Sequence, residues 1–187
     1  LAQAHLSTEV QKRNKKPVVP HFQGEVGLCT DFFQLAHQVF AKTSRIEVGS
    51  AVISILVQGG PIAMAERVGN FCALHGIDPD HKRKIHLGFS AGRFEFMSRP
   101  YGFFPRDPVE EASWPALKGQ IFMEASEIFL RLLRGDIVSS EDTYKTIFTR
   151  ANFRSDADWE RVQHAAHEHY GLPIDTQEIA IAKRYNF

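Results

Sequence analysis

The segment KIHLGFSAGRFEF, residues 84–96, joins a short apolar run to a turn of small residues that could support chemistry. Glycines lie two positions before and two positions after Ser90, so the string has the form Gly-x-Ser-x-Gly. In a hydrolase, that form marks a nucleophilic serine between a strand and an immediate helix. Here Pro100 and Pro105 interrupt the following residues, which predicts a loop. The spacing favours a strand exit lined by small residues, and a hydrolase stays an alternative.

Histidines offer two further candidate sites. His21 follows a proline-flanked apolar run at the expected end of a strand, and an imidazole there can exchange protons near neutral pH. His164, His167 and His169 are close enough in sequence to suggest a metal site. They fall on one polar-faced helix, and no cysteine or aspartate completes a ligand set. We therefore treat His21 as the candidate catalytic residue and predict no metal site.

The overall composition bears on the class of partner. Lysine plus arginine equals aspartate plus glutamate, at 22 each, so the 187-residue chain has no formal net charge to attract nucleic acid or an anionic membrane surface. No apolar run reaches the roughly 18 residues of a membrane span. The two cysteines are too few for a disulfide framework. We expect a cytoplasmic protein that binds neither nucleic acid nor membrane.

Helical and strand patterns alternate along most of the chain. Helices are predicted over residues 1–14, from a cap at Thr30 or Asp31 to about residue 43, over 61–76 and over 114–135. Strands are predicted near residues 15–22, 44–56 and 84–90. Such alternation is typical of a parallel α/β sheet or barrel. It brings three strand ends to one edge: His21–Phe22, Ala51–Ser54 and Ser90–Arg93.

The last forty residues break this rhythm. A capped helix is predicted over residues 155–171, and a second short helix over 174–187. We expect two regions: residues 1–150 as the α/β part, and residues 151–187 as a helical insertion or lid.

Four segments together resemble the bacterial luciferase-like flavin-dependent monooxygenases. They are KTSRIEVGSAVISI, GGPIAMAERVGNF, IHLGFSAGRFEFMSRPYG and FMEASEIFLRLLRGDIVS, in that order. The shared features are a strand ending in Gly-x-Ala-Val, a proline-led helix with an Ala-Glu pair, a Gly-x-x-x-Gly turn and a Glu-Ala-x-x-Ile-x-x-x-Leu-Leu-x-Gly helix. The resemblance covers roughly residues 17–140.

The resemblance implies a luciferase-like (β/α)8 TIM barrel. Such a barrel needs about 250 residues, so we expect a partial barrel or a fragment of a longer chain, with the helical insertion at its C-terminal end. The implied activity is oxygenation of a small aldehyde, ketone or organosulfur compound by reduced FMN and O2. A deazaflavin is a possible alternative cofactor. A separate flavin reductase and a homo- or heterodimer are the implied protein partners.

The resemblance also implies individual site residues. His21 matches the region where the family carries a catalytic histidine, although Pro20 replaces the first member of the usual histidine pair. A cis peptide against the flavin ring is implied at Ala51–Val52. The expected flavin-binding residues are Ala51, Val52, Phe89, Ser90, Ala91 and Arg93. The missing histidine leaves a second interpretation, a non-catalytic flavin-binding relative or partner subunit.

Overall fold

A computed structural model describes residues 31–77, 82–92 and 98–187. The described residues form two compact units, one ending at Gly102 and the other comprising Phe103–Phe187. Within these ranges, no helix has both the length and the apolar character needed to cross a membrane. Residues 151–187, which we expected to form an insertion or lid, contribute a helix and a strand to the second unit.

The first unit begins with helix α1, Phe32–Lys42, which starts where the sequence predicts. The Asp31 side chain caps it by accepting hydrogen bonds from the backbone N–H groups of Phe33 and Gln34, both at 3.0 Å. Its buried face is Phe33, Ala36 and Phe40. Leu35, by contrast, is 37% exposed.

Two short strand pairs and one crossover helix follow. The strands are β1 (Val48–Gly49), β2 (Ile53–Ser54), β3 (Ile85–His86) and β4 (Phe89–Ser90). Strand β1 pairs with β3 and β2 with β4, both in parallel. Helix α2, Gly60–Gly76, provides the crossover that a parallel pairing needs, with Pro61 in its first turn as predicted. Its core side chains include Met64, Ala65, Val68 and Phe71.

The predicted barrel is wrong. Among the described residues, every sheet has two strands, and no closed or partly closed barrel is present. The predicted strands over residues 44–56 and 84–90 contribute only two-residue pairings, and Ile55–Val57 turn into a 3-10 helix. The architecture is a mixed α/β one with four helices in the described ranges.

The second unit is organised by helix α3, Pro108–Leu133. It begins two turns before the predicted start, because Asp107 caps it by accepting a 2.8 Å hydrogen bond from the Glu110 backbone N–H. The apolar repeat predicted for this helix is largely buried. The buried members are Ile121, Ala125, Ile128 and Phe129.

A helix and a small antiparallel sheet complete this unit. Helix α4, Asp156–Tyr170, has Ser155 as its N-cap and Gly171, at φ +68°, as its C-cap. Strand β5, Thr146–Phe148, pairs with β6, Ile179–Ile181. The second short helix predicted over residues 174–187 is therefore wrong. Alternation in Ile179-Ala180-Ile181, with both isoleucines buried, is the strand signal that the helix prediction overlooked.

A buried carboxylate joins the start of α3 to the end of the chain. Glu110 is 1% exposed. It accepts a 2.7 Å hydrogen bond from Arg106 Nε and a 2.8 Å hydrogen bond from Arg184 Nη2. Arg184 also donates to the Phe104 carbonyl and lies over the Trp114 ring, at 5.9 Å. Two guanidinium groups thus compensate one desolvated charge, which makes Glu110 costly to remove.

Replacing Glu110 with glutamine should destabilise the second unit by about 3 kcal/mol, since the change leaves two cations without their buried counter-charge. The measurement is urea unfolding followed by tryptophan fluorescence, because Trp114 and Trp159 both belong to this unit. Glu111→Gln is the matched control, because Glu111 is the exposed neighbour on the same helical turn. An equal stability of the two variants would contradict the role assigned to Glu110.

Candidate functional site

The two pairs of short strands form one parallel ribbon with a bulge in its middle. Val48 is opposite Ile85 and Gly49 is opposite His86, whereas Ile53 is opposite Phe89. Between these pairs, the three residues 50–52 face the two residues 87–88. The extra residue bends the strand, and bulges of this kind commonly redirect side chains beside functional sites.

Ser50 holds the bulge in place. Its hydroxyl accepts a 2.9 Å hydrogen bond from the Gly88 N–H and donates to the Gly88 carbonyl at 3.2 Å. The Ser50 N–H donates to the His86 carbonyl at 2.9 Å, and the Ile53 N–H donates to the Gly88 carbonyl at 2.7 Å. A side chain therefore replaces the backbone partner that the bulge removes. Because the strands approach closely, a Cβ on Gly88 would lie 2.7 Å from the Ala51 carbonyl oxygen.

The bulge exposes the residues that follow Ser50. Ala51 is exposed, and Val52 is 50% exposed although it lies between two strand pairings. On the adjacent strand end, Phe89, Ser90 and Ala91 are half-buried. We call these five residues the strand-end ledge. Its side chains are small or apolar. Two of them lie in the bulge before β2, and three lie on or just after β4, next to the carboxyl ends of β2 and β4, where open α/β sheets commonly bind ligands.

A buried hydroxyl lies beside the ledge. Among the described residues, the Ser54 Oγ has no hydrogen-bond partner. A Cβ on Gly92 would lie 2.5 Å from that oxygen, and Gly92 adopts φ +79°, so only glycine fits. The Gly92 N–H donates to Ser90 Oγ at 3.2 Å. The turn after β4 is therefore closely packed and built from small residues. The polar atom without a hydrogen-bond partner among the described residues is Ser54 Oγ.

The structure places five of the predicted site residues on or next to the paired strands β2 and β4. Ala51 and Val52 lie in the bulge before β2, Phe89 and Ser90 form β4, and Ala91 follows it. His21 and Arg93 lie outside the described residues. Every peptide bond within the described ranges is trans, so the cis bond implied at Ala51–Val52 is absent.

The sequence reasoning missed Ser50 and Ser54 as polar residues of this region. Their signal is the repetition of a serine next to a small residue in both strand ends, Gly49-Ser50-Ala51 and Phe89-Ser90-Ala91. Where these serines lie in the paired strands depends on the strand register, and the sequence of one strand does not specify that register without its partner.

An ion pair lies at the opposite end of the ribbon from Ser54. His86 Nε2 and Glu47 Oε2 are 2.8 Å apart, and both side chains are largely exposed. The hydrogen bond from His86 lowers the pKa of Glu47. Solvent screens such a pair, so its contribution to stability is small.

The histidine cluster considered for metal binding has an ordinary structural arrangement. His167 Nδ1 lies 2.7 Å from the Leu172 carbonyl at the end of α4. No group of three His, Cys, Asp or Glu side chains in residues 31–77, 82–92 and 98–187 is placed to hold a metal ion.

The ledge has the properties that a flat aromatic ring requires. Its side chains are small or apolar, and Val52 is 50% exposed. Ser54, at the end of β2, adds a hydroxyl without a hydrogen-bond partner among the described residues. Side chains of this chemistry are compatible with contact to one face of a flavin ring.

Comparison with known proteins gives no independent guide: no protein-family model, no curated protein and no solved structure matches the chain.

Ser50 and Ser54 provide a matched pair of substitutions. Ser50→Ala should lower the local free energy of opening by about 1–2 kcal/mol, because the Gly88 N–H loses its acceptor. Ser54→Ala should leave it unchanged or raise it slightly, because the hydroxyl it removes makes no hydrogen bond. Hydrogen exchange of a peptide covering residues 82–92 measures both effects. A larger loss in Ser54→Ala than in Ser50→Ala would show that the assigned hydrogen bonds are wrong.

Proposed function

We propose that the strand-end ledge binds the ring of reduced FMN, and that the protein is a luciferase-like flavin-dependent monooxygenase. The observation that carries the proposal is the parallel pairing of Ile53 and Ser54 with Phe89 and Ser90, two positions that the sequence resemblance implies in flavin binding. A one-residue bulge directly before Ile53 leaves Val52 50% exposed at the ledge. Nothing in this proposal needs a closed barrel around the ledge.

The residues of the ledge would bind and orient the ring. Ala51 and Val52 would contact one part of its face, and Ser90 and Ala91 would line the neighbouring strand end. Apolar contact removes water from the ring face. When bound, reduced FMN supplies the electrons that activate O2, and the protein supplies position and shelter from solvent.

The remaining parts of the proposal rest on the sequence resemblance. His21 would exchange a proton with the substrate, and Arg93 would contact the flavin phosphate. The substrate class is a small aldehyde, ketone or organosulfur compound. A separate reductase would deliver reduced FMN, and a deazaflavin is the alternative cofactor. We also propose a dimer, formed with a second copy or with a related chain.

Flavin binding at the ledge predicts a specific effect of charge. Val52→Asp should weaken binding of reduced FMN about tenfold or more, because the ring would have to desolvate a carboxylate. Ile46→Asp is the matched control, since Ile46 is 51% exposed in the same unit but precedes β1. An anaerobic fluorescence titration of each variant measures the dissociation constant. Equal weakening by both substitutions, or FMN binding by neither variant nor the unsubstituted protein, would contradict the proposal.

The role of His21 predicts separate effects on binding and turnover. His21→Ala should retain the affinity for reduced FMN and lose most oxygenation, because a proton-transfer residue contributes roughly 100-fold or more to rate. Mass spectrometry of product formed under 18O2, with aldehydes, ketones and organosulfur compounds, measures turnover. Unchanged turnover in this variant would assign His21 a structural role.

The same experiments distinguish the second interpretation. If the unsubstituted protein binds FMN and the Val52→Asp variant does not, but no compound is oxygenated, the chain is a flavin-binding relative or partner subunit without turnover. The single histidine in VPHF is the observation that favours this interpretation.

A further inference from the structure

Two histidines from neighbouring helices meet away from the strand-end ledge. His37 Nδ1 on α1 and His75 Nε2 on α2 are 2.8 Å apart, within hydrogen-bond distance. Their ring centroids are 4.6 Å apart, with the ring planes inclined by 30°. Both side chains are half-buried. One imidazole therefore donates a hydrogen to the other, which accepts it through an unprotonated nitrogen.

An aromatic cluster surrounds the histidine pair. Phe71 lies 4.6 Å from His37 and 4.5 Å from His75, measured between ring centroids. The edge of the cluster is Phe40, whose ring meets His75 at 4.9 Å and 88°. The rings shield the imidazoles from water on these sides. A charge placed on the pair is therefore poorly solvated.

The charged group packed near the pair is a cation. Arg83, from the segment before β3, lies over the Phe40 ring at 4.1 Å. It donates to Thr43 Oγ1 at 2.9 Å and to the Phe40 carbonyl, near the end of α1. Among the described residues, the groups that act on His75 electrostatically are His37 and Arg83. Neither carries a negative charge that could compensate a second proton.

We propose that the His37–His75 pair is an acid-sensitive lock between helices α1 and α2. With at most one proton shared between the facing nitrogens, the hydrogen bond joins the helices. With both imidazoles protonated, each facing nitrogen carries a hydrogen and no acceptor remains. Two positive charges then face each other beside Arg83, and α1 separates from α2. The lock is independent of flavin binding, since neither histidine belongs to the ledge.

The direction of the pH effect follows from His75. Burial, His37 and Arg83, in that order, lower the pKa of His75 from its ordinary value of 6.5. At pH values between the folded and unfolded pKa values, the unfolded chain therefore binds a proton at His75 that the folded chain does not bind. The stability of the α1–α2 contact is complete above pH 6.5 and falls as the pH drops from there through the lower folded-state pKa.

Hydrogen exchange of α1 tests the lock in the intact chain. After correction for intrinsic exchange rates, we expect the α1 amides to exchange about tenfold faster at about pH 5 than at about pH 7.5, a range that spans histidine titration. Helix α3 contains no histidine, so its corrected amide exchange rates should be about the same at the two pH values. Equal loss of protection in α1 and α3 would mean general acid unfolding and would overturn the proposal.

Two variants separate the lock from other histidines. His75→Phe keeps an aromatic ring but cannot be protonated, so its exchange ratio between the two pH values should fall to about one. His37→Gln should do the same and serves if the first variant fails to fold. His86→Gln is the control, because His86 pairs with Glu47 outside the cluster, and it should retain the tenfold ratio. An unchanged ratio in the variants at positions 37 and 75 would refute the lock.

Discussion

The arrangement of the first unit depends on how Ser50 stabilises an imperfect strand pairing. A parallel pair gains evenly spaced backbone hydrogen bonds, and an extra residue would leave polar groups unsatisfied. The Ser50 hydroxyl compensates by bonding both the N–H and the carbonyl of Gly88. The consequence is a local change in the course of the strand. The strands can resume pairing at Ile53 and Phe89, while Ala51 and Val52 are turned outward.

In the second unit, ion pairs satisfy a buried carboxylate. Glu110 is satisfied by two arginines, one four residues before it and one near the end of the chain. The ion pairs connect α3 to the segment after β6, so residues far apart in sequence fold against one helix. Elsewhere on the same helix, Glu124 is buried with one hydrogen bond, from the Tyr144 N–H, and its burial raises its pKa. Charge compensation explains why Glu110 can anchor the segment after β6 to α3.

The sequence predicted helices well wherever a cap and an apolar repeat agreed. Asp31, Pro61 and Ser155 each mark a helix start, and α3 has the predicted apolar repeat. Strand extent and the barrel were wrong for a common reason. A β-branched run indicates that a segment can be extended, but pairing depends on residues far away in sequence. The side-by-side strand ends were predicted from the alternation of helices and strands, whereas the bulge at Ser50 depends on a register that neither strand specifies alone.

A buried hydroxyl without a hydrogen-bond partner is not enough to mark a candidate site, as a comparison of Ser54 with Tyr185 shows. Tyr185 in the second unit also has a buried hydroxyl without a partner, and burial raises its pKa. An orphan hydroxyl by itself therefore indicates only an energetic cost. Ser54 differs because Gly92, at a positive φ, covers its oxygen and two parallel strands end beside it. The ledge is a candidate site because three features occur together there: the unsatisfied hydroxyl of Ser54, the close packing of Gly92 and the exposed apolar side chain of Val52.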